Sequence, residues 1–327
     1  MDKLKRNDLI SIMIPAYNVD RYIDKCLETL CSQTYSNIEI VIVDDGSTDT
    51  TGKKCDEWAG RDDRIRVIHQ ENRGVSGARN ACVRNATGEY VAFVDPDDMV
   101  APDYVETLYR CILDNDVPMA QGRSENFFSE EDIKNFRSTD DCRVLTGKEM
   151  CHILMTEYHK GWGILMTKMC KRSIYDDIVF PQGRIHEDDY CIYRLYWNAG
   201  KVALTDRIVY YYRSKREGSI THVKYSLHRL DSLDALTKRC EFFRQQGQQS
   251  LYEDACLSLC RARVSALQSM EKAEVENKEK VISEVRRDLK EDLRRLRSLK
   301  NISLKKKASV YMELYMPGIK KALVGRK

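Results

Sequence analysis

Asp95 and Asp97 stand two residues apart in Val94-Asp95-Pro96-Asp97-Asp98, directly after the apolar run Tyr90-Val91-Ala92-Phe93-Val94. Carboxylates at that spacing offer the hard oxygen ligands that suit Mg²⁺ or Mn²⁺ carrying a phosphate. A strand would deliver them to the carboxyl edge of an open α/β sheet, where such folds bind ligands. The chemistry implied is recognition of a nucleotide diphosphate. An ordinary Asp-Pro turn has the same composition, with Pro102 opening the next helix. A second acidic strand end strengthens the site reading: Ile38-Glu39-Ile40-Val41-Ile42-Val43 runs into Asp44-Asp45-Gly46-Ser47-Thr48-Asp49. The buried-strand pattern from Leu9 to Ile14 ends in Pro15-Ala16-Tyr17-Asn18. Tyr17 can stack on a base and Asp45 can accept a base imino proton, which makes a nucleobase pocket beside a phosphate and metal end at Asp95 and Asp97. Each residue also has a local role open to it: Tyr17 as an aromatic at a helix entry, Asp45 as a turn cap, Gly46 as a positive-φ turn residue.

The elements that must position these groups alternate over the first part of the chain. The pattern predicts strands at 9–14, 38–43, 65–69, 90–94 and 117–121, with helices at 20–33, 49–61, 75–86 and 102–114, which is a parallel-sheet pattern. Residues 122–145 read as a polar, irregular connection across the acceptor side of a cleft. Thr146 caps a helix to about Tyr158, a short helix covers Thr167 to Tyr175, and a helix over Glu187 to Ala199 opens on an acidic first turn. Strands at 201–205 and 207–213 close this part. From Lys224 onward the spacing is helical, without a repeat long enough for a coiled coil.

The 327 residues, 42% apolar and 32% charged, suit one sizeable α/β core with a smaller appendage. No apolar run reaches the length of a membrane span, and Met1 to Arg6 lead into a polar segment without a signal-peptide core, so a cytoplasmic location is expected. The twelve cysteines are scattered, with no Cys-x-x-Cys pair; Cys26, Cys82, Cys111 and Cys191 read as reduced core residues. Cys256 and Cys260 read as one helix face packing inward. Charge is uneven: Lys278 to Lys327 holds 16 Lys and Arg against 6 Asp and Glu, a surplus of +10 in a chain of net +3, which leaves −7 for the rest. Nucleic acid is excluded as a partner because interleaved aromatic platforms and a recognition motif are missing. The segment Leu304 to Met316 mixes a lysine cluster with apolar and tyrosine residues, as a helix docking on an anionic membrane would, or as one packing its apolar face on the domain.

Five motifs in register give residues 9 to 222 a close resemblance to the family 2 glycosyltransferases: Ile14-Pro15-Ala16-Tyr17-Asn18, Val43-Asp44-Asp45-Gly46-Ser47, Asn72-Arg73-Gly74 with Ala78-Arg79-Asn80, Asp95-Pro96-Asp97-Asp98, and Gly183-Arg184-Ile185-His186-Glu187-Asp188-Asp189. The resemblance implies a GT-A fold, a Rossmann-like nucleotide-sugar binding sheet, over residues 1–222. Its donor half spans about 9–121 and its acceptor half about 122–222; a helical domain with the basic tail follows over 223–327. It also implies inverting sugar transfer from a nucleotide diphosphate sugar; the leading expectation is metal-dependent transfer from a UDP-sugar to a hydroxyl of a glycan or lipid-linked acceptor, and the basic tail suggests an enzyme peripheral on the inner face of the cell membrane.

On that resemblance Pro15, Tyr17, Asp45, Asn72, Arg79 and Asp95 contact the donor, Asp97 with Asp95 holds Mn²⁺ or Mg²⁺, and Asp188 aligns with the catalytic base. Glu187 and Asp189 share its turn, and any of the three acids could complement a helix dipole. The stretch Tyr212 to Thr221 resembles a loop that closes over the donor, bringing Arg213 or Arg216 and Ser219 to the diphosphate. Relatives can carry a histidine there; Glu217 stands in its place. Trp162, between Gly161 and Gly163, reads either as an acceptor-side platform for a sugar or as core, and Glu187 is the second acceptor-side candidate. Met166-Thr167 replaces the Trp-Asn that usually opens the next family stretch.

Two competing readings are weighed: transfer to a polyprenyl phosphate, which needs no strong base, and a nucleotide-sugar binding scaffold that has lost turnover. The intact acids oppose the scaffold. A nucleotidyltransferase would carry a glycine-rich phosphate loop where Pro15-Ala16-Tyr17-Asn18 stands.

Overall fold

Strands apolar along their whole length must be covered on both faces, and two of them form the centre of this sheet. The computed structural model describes residues 7–128, 142–157, 161–214, 227–274 and 276–316. All of β1 (Ile10–Ala16) is buried, and all of β2 (Ile38–Asp44) except Glu39. With β3 (Ile65–His69) and β4 (Tyr90–Phe93) they make a parallel array in the order β3-β2-β1-β4. Crossover helices α1 (Ile23–Cys31), α2 (Thr51–Ala59) and α3 (Gly74–Asn85) link them. In α1 the buried residues Ile23, Cys26, Leu27 and Leu30 recur at i, i+3, i+4 and i+7, so one face turns inward.

Beyond β4 the sheet becomes mixed. A two-residue strand β5 (Met99–Val100) precedes α4 (Tyr104–Asn115), and β6 (Met119–Phe127), β7 (Cys142–Thr146), α5 (Gly147–Thr156), β8 (Lys168–Lys171), α6 (Ile192–Ala199) and β9 (Lys201–Arg213) follow. The order continues β4-β8-β6-β9-β5, with β7 added on β9. β8 is antiparallel to both β4 and β6, so the parallel pattern expected through residue 121 ends at β4.

Several expectations are corrected in this half. The helix expected over 167–175 is β8 flanked by 3₁₀ turns at Leu165–Thr167 and Arg172–Tyr175; insertion between two strands overrides the local propensity of four residues. The strand expected to end at 121 continues to 127, and 142–146, expected as connection, is β7. The two strands 201–205 and 207–213 are one strand, whose pairing with β6 shifts register around Arg123. Gly122 sits at that shift, where an added Cβ would lie 2.5 Å from Val209 Cγ2. The Glu187–Ala199 helix is a 3₁₀ turn over Glu187–Tyr190 followed by α6. Thr146 does cap α5, as half of a capping box: Glu149 N–H donates to Thr146 Oγ1 (3.2 Å) and Thr146 N–H to Glu149 Oε2 (2.7 Å).

Cys111 is the exception to the reduced-core expectation, since it is disulfide-bonded to Cys142. Cys26, Cys82, Cys191, Cys256 and Cys260 are free and buried.

The chain divides into two compact units, Met1–Met150 with His159–Ser219, and Cys151–Tyr158 with Ile220–Lys327. The second is helical: α7 (Asp231–Gln245), α8 (Gln249–Lys272), α9 (Lys278–Ser298) and α10 (Leu304–Tyr315). Ile282, Val285, Leu289, Leu293 and Leu296 form the buried face of α9. Arg263 of α8, 8% exposed, ties the two helices by pairing with Asp292 (2.7 Å) and Asp288 (2.8 Å). No helix among the described residues is long and apolar enough to cross a membrane.

Candidate active site

The loops leaving β1 and β2 are sewn to each other. Asn18 N–H donates to Ser47 Oγ (3.1 Å), Thr48 N–H to Asn18 Oδ1 (2.8 Å), and Val19 N–H to Thr51 Oγ1 (2.8 Å). Gly46 takes φ +70°, and a Cβ there would lie 2.9 Å from Asn72 N, so only glycine allows the third loop to come this close. Asp45, 1% exposed, accepts from Gln70 Nε2 (2.6 Å) and Arg73 N–H (2.9 Å) with Oδ1, which fixes the segment leading into α3. Asn72 is exposed, and its Oδ1 accepts from Gly74 N–H (3.1 Å). Tyr17 is 45% exposed, whereas Pro15 is buried in β1 opposite Val43.

The acidic turn after β4 hangs on β9. Tyr210 donates its hydroxyl to Asp98 Oδ2 (2.7 Å) and accepts from Asp95 N–H (3.1 Å). Arg213 N–H donates to Asp98 Oδ1 (2.8 Å), and Arg213 Nε donates to the Asp97 carbonyl (2.8 Å). The Arg213 guanidinium lies over the rings of Phe127 (4.5 Å) and Tyr22 (5.1 Å). Asp98 is therefore the buried anchor of the turn. Burial, then Asp97 and Asp95, push its carboxyl well above the ordinary range. Burial also pushes the Asp95 carboxyl up to about 6, against the pull of Arg79 and with repulsion from Asp97, Glu187 and Asp188.

Arg79 joins that turn to the acid-rich 3₁₀ turn. Its Nη2 lies 3.3 Å from Asp95 Oδ1 and 3.2 Å from Glu187 Oε1, and its guanidinium packs over Phe93 (5.5 Å) and Phe180 (5.8 Å). Asn80, the next residue of α3, clamps the backbone of Phe180 with two hydrogen bonds of 2.8 and 2.9 Å, which brings the following loop alongside. Arg79 is 5% exposed, yet its Nε and Nη1 have no hydrogen-bond partner among the described residues. Buried guanidinium donors left open in this way are suited to a phosphate oxygen. Asp188, half-buried in the same turn, has its carboxyl raised by burial and by Asp189, while Arg79 pulls the other way.

Hard oxygen donors are what the edge offers a cation, and Asp95 and Asp97 are the residues that could hold one. No group of three or more His, Cys, Asp or Glu among the described residues is arranged as a complete metal site. Two such carboxylates fit a divalent cation that would need further oxygen ligands from elsewhere, and Asp95, raised to about 6 by burial, is a carboxyl whose ionised form a cation would stabilise.

The expected site residues thus fall into distinct settings. Asp95, Arg79, Glu187 and Asp188 come together, and Arg213 braces Asp97. Glu187, 8% exposed, is spent on Arg79 rather than held out to an acceptor. Trp162 is 5% exposed and so follows its core reading; its carbonyl accepts from Tyr196 Oη (2.7 Å) and Lys168 Nζ (3.1 Å). Ser219, with Arg216 and Glu217, lies outside the described residues. Sequence reasoning missed Tyr210 and Lys168. Lys168, 3% exposed over the Tyr196 ring, is pulled down to about 7 by burial, with Asp188 opposing.

A Rossmann-like sheet with an acidic turn at its carboxyl edge and a second carboxylate-bearing turn beside it defines a GT-A glycosyltransferase. Residues 11–185 match the family model described as glycosyl transferase family 2, and the chain belongs to that family. It is 36% identical over 249 residues to glycosyltransferase GlyA of Streptococcus pneumoniae, a match covering 74% of this chain but only 35% of GlyA. It is 35% identical over 235 residues to GlyG of the same organism, covering 68% of this chain and 75% of GlyG. Among solved structures, TarS of S. aureus in complex with UDP-GlcNAc aligns over 93% of this chain and 80% of that one, with a TM-score of 0.55 at 19% identity. The mannosyltransferase PcManGT of Pyrobaculum calidifontis, in complex with GDP-Man and Mn²⁺, aligns over 96% of this chain and 82% of its own, with a TM-score of 0.51 at 17% identity. At those identities the two structures establish the fold alone.

Proposed function

We propose that this glycosyltransferase takes a UDP-sugar, holds its diphosphate with Mg²⁺ or Mn²⁺ at Asp97 and Asp95, and transfers the sugar with inversion to a hydroxyl of a glycan or lipid-linked acceptor. The observation that carries the reading is the Arg79 bridge, 3.3 Å from Asp95 and 3.2 Å from Glu187, which gathers the donor-side carboxylate and the Asp188 turn into one place. The cation, when bound, offsets the charge that develops on the departing diphosphate. Asp188 acts as general base on the acceptor hydroxyl, and its raised pKa moves it toward the working range. The open Nε and Nη1 of Arg79 donate to the diphosphate. A single displacement from the face opposite the leaving group inverts the anomeric centre.

Solved relatives of this fold hold UDP-GlcNAc in one case and GDP-Man in another, so the base must be read locally. The exposed Tyr17 ring stacks on it, with Asp45 at the strand end beside it.

The setting is the inner face of the cell membrane. Leu304, Met312, Tyr315 and Met316 on and next to α10 are 83%, 45%, 71% and 54% exposed, while Val310 packs inward. With Lys305 to Lys307 in the same helix, that apolar stripe suits an anionic lipid surface.

Asp188→Asn tests the assignment, with an expected fall in turnover of about 10²–10⁴-fold while UDP binding in calorimetry is unchanged. Full turnover on a hydroxyl acceptor removes Asp188 as the base. Turnover confined to a polyprenyl phosphate and indifferent to Asp188 assigns that reaction instead, nucleotide binding without turnover on any acceptor leaves the scaffold, and no binding of any nucleotide overturns the donor assignment.

A further inference from the structure

Between α8, α9 and α10 lies a groove of about 600 Å³ whose floor and rim differ in kind. Leu267 from α8 and Leu289 and Leu293 from α9 make an apolar floor, and all three are buried in the helical unit. Arg286, Lys290 and Arg294 follow one another at i, i+4 and i+8 on α9, so they form one row along its lip, and Arg297 continues it. Glu271 is the one carboxylate in the lining among the described residues. It pairs with Arg286 (3.3 Å), and Arg297 Nε donates to Tyr311 Oη (2.7 Å). Lys290 and Arg294 are exposed and make no ion pair among the described residues.

We infer that this groove binds one anionic membrane phospholipid, with an acyl chain along the leucine floor and the headgroup phosphate between Lys290 and Arg294. The inference rests on the membrane reading above and makes it specific, since a binding groove selects a lipid where a charged surface only attracts one. Three observations commit it to that occupant. The floor is apolar, with Leu289 and Leu293 one helical turn apart on α9 and Leu267 opposite, and so suits a hydrocarbon rather than a second charged group. The lining holds four cations against one carboxylate, which demands an anion. Tyr315, exposed at the end of α10, both lines the groove and belongs to the apolar stripe, so the groove opens onto the face that meets the membrane. Residues 317–327 of this sequence carry four cations and no acid, the same sign of charge as the rim, which repels them as an occupant.

Titration of the full chain with dioctanoyl phosphatidylglycerol below its micelle concentration, followed by calorimetry and native mass spectrometry, tests the inference. One lipid should bind saturably per chain, and neutralising the lip with Lys290→Gln and Arg294→Gln should weaken it roughly 30-fold. Filling the floor with Leu293→Trp gives a second, charge-neutral variant, and circular dichroism checks that each variant is folded. Dioctanoyl phosphatidylcholine and glycerol phosphate should each bind far more weakly. Equal binding of phosphatidylcholine overturns the charge argument, equal binding of glycerol phosphate overturns the chain argument, and tighter binding of a polyprenyl phosphate gives the groove to an acceptor lipid instead. Sedimentation with phosphatidylglycerol vesicles separates the two levels. If vesicles bind but the monomeric lipid does not, the groove fails and the membrane reading stands; if neither binds, both fail.

Discussion

At the carboxyl edge of the sheet, Asp95, Glu187 and Asp188 gather round the buried guanidinium of Arg79, with Asp97 and Asp98 on the same turn as Asp95, whereas in the helical unit Arg286, Lys290, Arg294 and Arg297 rim a groove whose one carboxylate among the described residues is Glu271. The first site is acid-rich and buried, the second base-rich and exposed. The difference lies in how each charge is kept. A buried carboxylate must be matched within hydrogen-bond reach or give up its ionised form, so Arg79, Tyr210 and the backbone of Arg213 are held to within about 0.6 Å of one common distance, between 2.7 and 3.3 Å. An exposed lysine keeps its water and acts at a range set by ionic strength. Geometry governs the sheet edge, and net charge governs the groove.

Removing the counter-charge breaks the first site most severely. Arg79→Met leaves the buried Glu187 and the half-buried Asp95 without their partner and is expected to cost roughly 3–5 kcal/mol in urea unfolding, together with nucleotide binding. Adding Glu187→Gln should recover part of that stability; if it recovers none, the bridge is not what holds the two turns together. A smaller effect lies in the pH profile. Because the Asp188 carboxyl is raised in the folded protein, kcat/KM should fall as pH drops through a value above the ordinary aspartate range of about 4. An acidic limb at the ordinary value, at saturating metal, would count against Asp188 as the base.

The smallest effect compares a buried cation with the exposed ones of the groove. Lys168 is pulled down to about 7 from the usual 10.5, so above about 7 the unfolded chain keeps a proton that the folded chain has released. Stability should therefore rise with pH through that window, and below it the cost of burying the charge is fully present. Lys168→Met should flatten that slope, whatever it does to absolute stability through the lost bonds to the Trp162 and Ile164 carbonyls. An unchanged slope would place the titration elsewhere.

The parallel half was legible because β1, β2 and β4 are largely apolar runs, the last two closed by turn acids, and α1 shows its face at i, i+3, i+4 and i+7. The mixed half was not. Lys168–Lys171 is too short to show a period, and it is a strand only because β4 and β6 leave room between them. Asp206 and Arg207 interrupt an apolar pattern in the middle of β9, which made one strand look like two. At the site, Asp95 and Asp97 announced themselves by spacing, while the partner that anchors their turn, Tyr210, is 112 residues from Asp98 and carries no local signal. The Cys111–Cys142 bridge was equally hidden, since scattered cysteines have no spacing to read. Arg79 could be singled out only through family resemblance, because an arginine on a helix ordinarily faces water.

The hydrogen bonds between Asn18, Val19, Ser47, Thr48 and Thr51 have a thermodynamic consequence for the donor. Loops already fixed to one another when the chain folds lose little further freedom when a nucleotide arrives, so the ordering cost of association falls on the ligand rather than on the protein. Nucleoside diphosphate then keeps the affinity that the fixed loops give it after the sugar has left, so the same preorganisation that favours capture slows product release.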